Sequence, residues 1–194
     1  MEKALKQQPS NCLKVVLFGP ESTGKTTLAK QLADHFNTLW VPEYMRGYLQ
    51  KKWDDKKEKC TMADLMPIAV GQMTAENKAA SRANNVLFCD TNLLEIKVYS
   101  EYYYKGFCPS EIKEYALKNT YDIYFLTNID TEWQFDDLRD RPVEREKMFC
   151  IFESQLINQK LQFEVLQGNQ DKRFDIAVKI IERLLKEKRN VNEE

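Results

Sequence analysis

Histidine is nearly missing from this chain: among its 194 residues only His35 carries an imidazole. Serine-histidine-aspartate triads, histidine-rich metal centres and histidine-based nucleotidyl transfer all need imidazole at the site, so all three lose ground together. His35 falls at the end of a predicted helix, where a lone imidazole is read as structural or solvated. A surplus of charge is missing too. Lys and Arg total 29 against 30 Asp and Glu, a formal net charge of -1, which offers no broad electrostatic pull toward nucleic acid or an anionic membrane. There is no CxxC pair: Cys12, Cys60, Cys89, Cys108 and Cys150 are scattered and odd in number. That argues against a zinc or redox motif and fits free thiols in a reducing cytoplasm. No apolar run approaches the roughly 18 residues needed to span a bilayer. Residues 1–13 mix charges with Gln and Pro and lack the apolar centre of a secretion signal. The expectation is a cytoplasmic chain that binds neither nucleic acid nor membrane, with 43% hydrophobic residues to fill one core.

What the chain does contain is a succession of short apolar runs separated by helical periodicity. Lys14 to Phe18, Thr38 to Val41, Val86 to Cys89, Ile123 to Thr127 and Phe163 to Leu166 read as buried strands. After the first of them Leu28, Ala29, Leu32, Ala33 and Phe36 recur at spacings of three and four, the stripe of a helix packed on a sheet. Further helices are predicted over Glu43 to Gln50, Met62 to Arg82 with Thr61 as cap, Leu93 to Tyr104, Ser110 to Lys118, and Glu144 to Lys160. A last one is striped by Phe174, Ala177, Ile180, Ile181 and Leu184. The charged stretch 51–59 reads as a surface loop, and the irregular segment 128–143 as a lid. Strands alternating with helices predict an α/β three-layer sandwich with a five-stranded parallel sheet and a lid after strand 4. In such a fold ligands bind beyond the carboxyl ends of the strands.

Gly19-Pro20-Glu21-Ser22-Thr23-Gly24-Lys25-Thr26 matches GxxxxGK[ST] in full and stands between a predicted strand and a predicted helix. In that context the motif makes the chain a P-loop NTPase. Backbone N–H groups of Gly19, Glu21, Ser22, Thr23, Gly24, Lys25, Thr26 and Thr27 turn around phosphate oxygens, and the helix N-terminus adds partial positive charge. Lys25 is expected to reach the β- and γ-phosphates of ATP, and the Thr26 hydroxyl to supply one oxygen to Mg2+.

Asp90 ends the third apolar run, the position of a carboxylate that holds Mg2+, although an Asp there can also be a turn residue. Glu43 follows the second strand into the same crevice. It can accept or orient the proton of an attacking hydroxyl, or simply favour the start of a helix. Arg46, three residues on, can pair with Glu43, bind substrate or lie on the surface. Arg139, Arg141 and Arg145 cluster on and beyond the lid, where an arginine closing over the migrating phosphoryl group stabilises its charge; spacing does not choose among them. Trp133 lies in an acidic stretch and either pins the loop or offers a ring face to a flat cationic ligand.

Taken together, GPESTGKTTLA, WVPEYMRGYL, IAVGQ, VLFCDTNLLEIKVYSEYYY, LTNID followed by Trp133, and LRDRPVEREKMF resemble the ribosylnicotinamide kinase domain of the NadR-type NAD-salvage proteins. The likeness runs from about Lys14 to Arg183. It implies a kinase domain over residues 13–188 between short tails (1–12 and 189–194), and ATP- and Mg2+-dependent phosphorylation of the 5′-hydroxyl of nicotinamide riboside. By the same resemblance Lys25, Glu43, Asp90, Arg139 and Arg141 are catalytic. Glu43, Tyr44, Arg46, Gln72, Asp90 and Trp133 face the riboside, and Thr26 and Asp90 hold the metal. Asn92 and Asn128 depart from the pattern, which has acidic residues there, and the single histidine leaves no HxGH motif for adenylyl transfer. The partner implied is a small-molecule riboside, with a homo-oligomer possible. A kinase for another riboside or vitamin-like alcohol, and a regulatory P-loop ATPase acting on a protein partner, are the competing readings.

Overall fold

Alternation along the first strand decides the layering: Val15 and Leu17 point to one side of a sheet, Val16 and Phe18 to the other, and all four are fully buried. The computed structural model describes residues 2–136, 138 and 143–193. Its strands are β1 (Leu13–Phe18), β2 (Leu39–Val41), β3 (Val86–Asp90), β4 (Ile123–Thr127) and β5 (Phe163–Leu166). They form one sheet in the order β2-β3-β1-β4-β5 with every pairing parallel. The helices are α1 (Glu2–Leu5), α2 (Lys25–His35), α3 (Tyr44–Lys56), α4 (Met62–Ala80), α5 (Leu93–Tyr103), α6 (Ser110–Lys118), α7 (Arg145–Asn158) and α8 (Gln170–Glu193). One face of the sheet packs on α2 and α8 around Leu28, Leu32, Ala177 and Ile181. The other packs on α4, α5, α6 and α7 around Ile68, Met73, Ile96, Ile112 and Phe152. Three layers result, as the alternation predicts.

The central strand β1 has β3 on one side and β4 on the other, so the chain leaves it in opposite directions and opens a crevice at the carboxyl ends. Register places Asp90 opposite Leu17, one residue before the end of β1. A site spanning the β1–α2 loop and the end of β3 follows from that pairing alone.

Three stretches differ from the sequence expectation. The charged run after Gln50 continues α3 to Lys56, because Gln50 and Lys51 bond Asp54 and Asp55 one turn on and such i,i+4 pairs support a helix. Residues 1–12 are not a loose tail over their described length. Leu5 is fully buried, and the Gln7 amide donates to Glu76 Oε1 (2.9 Å) and to the Thr120 carbonyl (3.0 Å), strapping the segment across α4 and the α6–β4 turn. At the other end α8 runs on past Lys186, with an Arg183–Glu187 pair a turn apart.

The wall formed by α3 and α4 is fastened at Asp64. Its carboxylate accepts from Lys52 Nζ (2.6 Å), Tyr48 Oη (3.0 Å) and both the N–H (2.7 Å) and hydroxyl (2.8 Å) of Thr61. Burial works to raise its pKa, but these donors outweigh it and hold it down to about 2. A lowered folded-state pKa contributes stability above the usual carboxylate range, lost as pH falls toward 2. Asp64→Ala is expected to lower stability by about 2 kcal/mol, combining a lost helix cap with orphaned donors. Thermal unfolding at pH 7 checks this, and a variant as stable as the parent would mean the cluster holds nothing.

Candidate active site

The loop between β1 and α2 takes a path that demands its glycines. Gly19 and Gly24 have φ of 133° and 83°. A Cβ on Gly19 would lie 3.0 Å from Thr127 Oγ1 and 3.1 Å from the Thr127 carbonyl oxygen, so β4 leaves no room for a side chain. The Thr23 and Thr127 hydroxyls meet at 2.6 Å, tying the loop to the end of β4. Arg173, reaching back from α8 and 1% exposed, donates to the Thr23 carbonyl (2.5 Å) and the Asn128 carbonyl (3.0 Å) and pairs with Asp130. Arg145, at the start of α7, donates to the Thr131 carbonyl (2.8 Å) and the Ser22 carbonyl (3.2 Å). The lid side and the loop are thus cross-linked through backbone carbonyls, which leaves the loop's N–H groups for an anion.

Lys25 is buried, and its ammonium donates to the Gly19 (2.6 Å) and Pro20 (2.9 Å) carbonyls of its own loop. Burial works to lower its pKa. Glu95, then Asp90, Glu43 and Glu21, outweigh that and hold it above the ordinary lysine value. Next to it the Thr26 hydroxyl donates to Asp90 Oδ2 at 2.5 Å, while Asp90 Oδ1 is buried without a hydrogen-bond partner. Burial raises the Asp90 pKa against the pull of Lys25 and Thr26. A hydroxyl, a carboxylate and an orphaned carboxylate oxygen side by side are hard oxygen donors, and they fit Mg2+.

Glu43 follows Pro42 at the end of β2 and stands at the N-cap of α3. It opens, with Ser22 to Thr27, Asp90, Arg46 and Glu95, into one cavity of about 810 Å3 that Leu49, Trp53 and Tyr104 also line. Drug-sized ligand pockets are roughly 300–1,000 Å3, so a phosphate tail and a riboside-sized molecule fit together.

The other predicted residues divide. Arg46 lines the cavity and pairs with Asp136 at 2.7 Å, joining α3 to the segment after β4. Tyr44 and Gln72 do not line the cavity. The Gln72 amide oxygen accepts the Tyr44 N–H at 2.8 Å, and the Tyr44 ring lies so close to Gly71 that a Cβ there would meet it at 2.2 Å. Trp133 lines a small pocket with Pro20 and Met148 that adjoins the main cavity, sharing Glu21, Tyr99 and Tyr103 with it, and the Arg145 guanidinium lies 5.7 Å from its ring centroid. Arg139 and Arg141 fall outside the described residues. Asn92 caps α5 by accepting the Glu95 N–H (3.2 Å) and donates to Tyr124 Oη (3.0 Å), so it has a structural task.

Two site residues were missed from the sequence. Glu95 lines the cavity, is 1% exposed, and has Oε1 3.4 Å from Lys25 Nζ. Its place in the first turn after a strand-end aspartate was the available signal. Arg173 gives no sequence signal at all.

A phosphate-binding loop after the central strand of a parallel sheet, a buried lysine on its helix and an aspartate at the end of the neighbouring strand define a P-loop nucleotide-binding protein. The chain belongs to the AAA_28 family, described as an AAA domain, which matches residues 14–173. It is 29% identical over 182 residues to the trifunctional NAD biosynthesis/regulator protein NadR of Escherichia coli (strain K12), covering 90% of this chain and 43% of the relative. The chain therefore spans less than half the length of that relative. Among solved structures it is similar to a NadR protein in complex with NR (TM-score 0.71, 22% identity, 89% of this chain and 51% of that one). It is also similar to the deoxyadenosine kinase of M. mycoides (TM-score 0.63, 13% identity, 88% of this chain and 100% of that one). Both likenesses establish the P-loop kinase fold.

Proposed function

We propose that this protein is an ATP-dependent small-molecule kinase that phosphorylates the 5′-hydroxyl of nicotinamide riboside to give nicotinamide mononucleotide. The observation that carries the reading is the single cavity into which both the phosphate-binding loop and Glu43 open, so donor and acceptor share one space. The NadR relative and the NR-bound NadR structure support the choice of acceptor. So does the wall chemistry: Glu21, Glu43 and Asp90 line the cavity and favour a cationic ligand.

In this mechanism Lys25 exchanges its own loop carbonyls for phosphate oxygens, and the loop N–H groups hold the β- and γ-phosphates in line with the acceptor. Glu43 takes the proton as the 5′-oxygen bonds to the γ-phosphorus and the bond to the β,γ-bridging oxygen breaks, releasing ADP. Thr26 and Asp90 would hold Mg2+, which when bound neutralises phosphate charge. Arg46 fixes the segment after β4 through Asp136, and from that segment Arg139 and Arg141 are proposed to reach the migrating group. The pyridinium is best received by Trp53, Tyr103 or Tyr104, aromatic residues that line the cavity. Among the described residues no helix is long and apolar enough to cross a membrane. The free cysteines suit a reducing cytoplasm.

Purified protein with ATP and Mg2+ is expected to phosphorylate nicotinamide riboside in preference to uridine, cytidine or thiamine. A ring–cation contact of about 0.5–2 kcal/mol gives a preference of roughly 2- to 30-fold over a neutral base. Product analysis that finds no nicotinamide mononucleotide, beside efficient phosphorylation of another alcohol, would replace the acceptor while keeping the kinase.

A further inference from the structure

None of the transfer steps uses Glu95. Its backbone is pinned, because the Asn92 side chain accepts its N–H, and its side chain is aimed into the cavity with 1% exposure. One carboxyl oxygen lies 3.4 Å from the Lys25 ammonium, and the other, Oε2, is buried without a hydrogen-bond partner. Lys25 is thus surrounded by the Gly19 and Pro20 carbonyls and by Glu95, on the side of the loop where phosphate oxygens would have to come.

We propose that Glu95 is a positioning residue of the nucleotide site: when ionised it competes with phosphate for Lys25 and repels the incoming polyanion, and when neutral it admits nucleotide. This rests on the P-loop as a nucleotide site and not on the identity of the acceptor. The groups facing Glu95 are Lys25 from α2, Glu43 from the start of α3 and Asp90 from the end of β3, with Tyr99 one turn along α5. Burial pushes the Glu95 carboxyl up to about 8; the Lys25 ammonium opposes this, and Glu43 and Asp90 reinforce it. Lys25 is held above its ordinary value, and Tyr99, chiefly through burial, well above its own. Lys25 therefore stays charged and Tyr99 neutral as Glu95 titrates.

The sign follows. Below pH 8 the carboxyl is neutral and nucleotide binds; above it, a carboxylate beside Lys25 stands against the phosphates. If only the neutral form binds, affinity falls about tenfold between pH 7 and pH 9.

Titration calorimetry with ATP alone at pH 7, 8 and 9, on the parent protein and on Glu95→Gln, tests this. The parent is expected to lose about tenfold in affinity across the range. Glu95→Gln should stay flat and bind about tenfold more tightly than the parent at pH 9. Parallel pH profiles overturn the proposal, and a flat parent profile does so even if the variant fails to fold. No ATP binding at any pH would take the nucleotide-site reading down with it.

Discussion

Lys25→Ala is expected to fold normally and to lose phosphoryl transfer by about a hundred- to a thousandfold. The rate loss is that of removing one preorganised donor from developing charge. Lys25 is the cation the loop holds nearest its own carbonyls, poised to move onto phosphate. The fold survives for a reason particular to this site. Removing a lysine normally strands its buried acidic partner as an unpaired charge, at a cost of several kcal/mol. Here burial already holds Glu95 up to about 8 with Lys25 present, and without that ammonium it moves higher still. At pH 7 Glu95 is then neutral, and little charge is stranded. Single-turnover kinetics and thermal unfolding on the same preparation separate the two claims. Parent-like turnover would end the kinase reading; collapse of the melting temperature would show that Lys25 is structural first.

Glu43→Gln is expected to lower kcat by about a hundred- to ten-thousandfold, the range of a lost general base, while leaving ATP affinity nearly unchanged. Gln keeps the size and the hydrogen-bonding reach of Glu, so the acceptor can still bind. What it cannot do is take the proton from the attacking hydroxyl. The bland alternative is that Glu43 merely favours the N-terminus of α3, but its side chain makes no capping hydrogen bond there. Loss of an interaction made in the transition state lowers kcat and kcat/KM together. A variant whose kcat matches the parent's, with a slightly lower melting temperature, would return Glu43 to the helix-start role.

Much of this site was legible residue by residue. The loop from Gly19 to Thr26 could be read outright because its function is a local backbone path: glycines where φ is positive, N–H groups facing inward, a lysine at the first turn of the helix. Asp90 and Glu43 were legible because strands of a parallel sheet deliver the residues after them to one edge. The strand runs themselves were marked by apolar β-branched composition. Tyr44 and Gln72 came only from the family likeness, whereas Trp133 stood out in the sequence as an indole in an acidic stretch. Tyr44 and Gln72 bond each other outside the cavity lining that holds Glu43, and Trp133 lies against Arg145 in a pocket adjoining it.

The sequence by itself determined the class: a parallel α/β sheet, a phosphate cradle, and acidic residues at two strand ends. These follow from dihedral preference and from periodicity, which act over a few residues and leave a local trace. Only the tertiary structure decided which distant side chains meet. Glu95 comes within reach of Lys25 because α5 leaves β3 beside the central strand. Arg173 returns from the last helix to hold Thr23, and Gln7 straps the first residues onto α4. Each meeting depends on how helices settle on the sheet when their apolar faces are buried, and that packing leaves no mark at the polar residues it brings together.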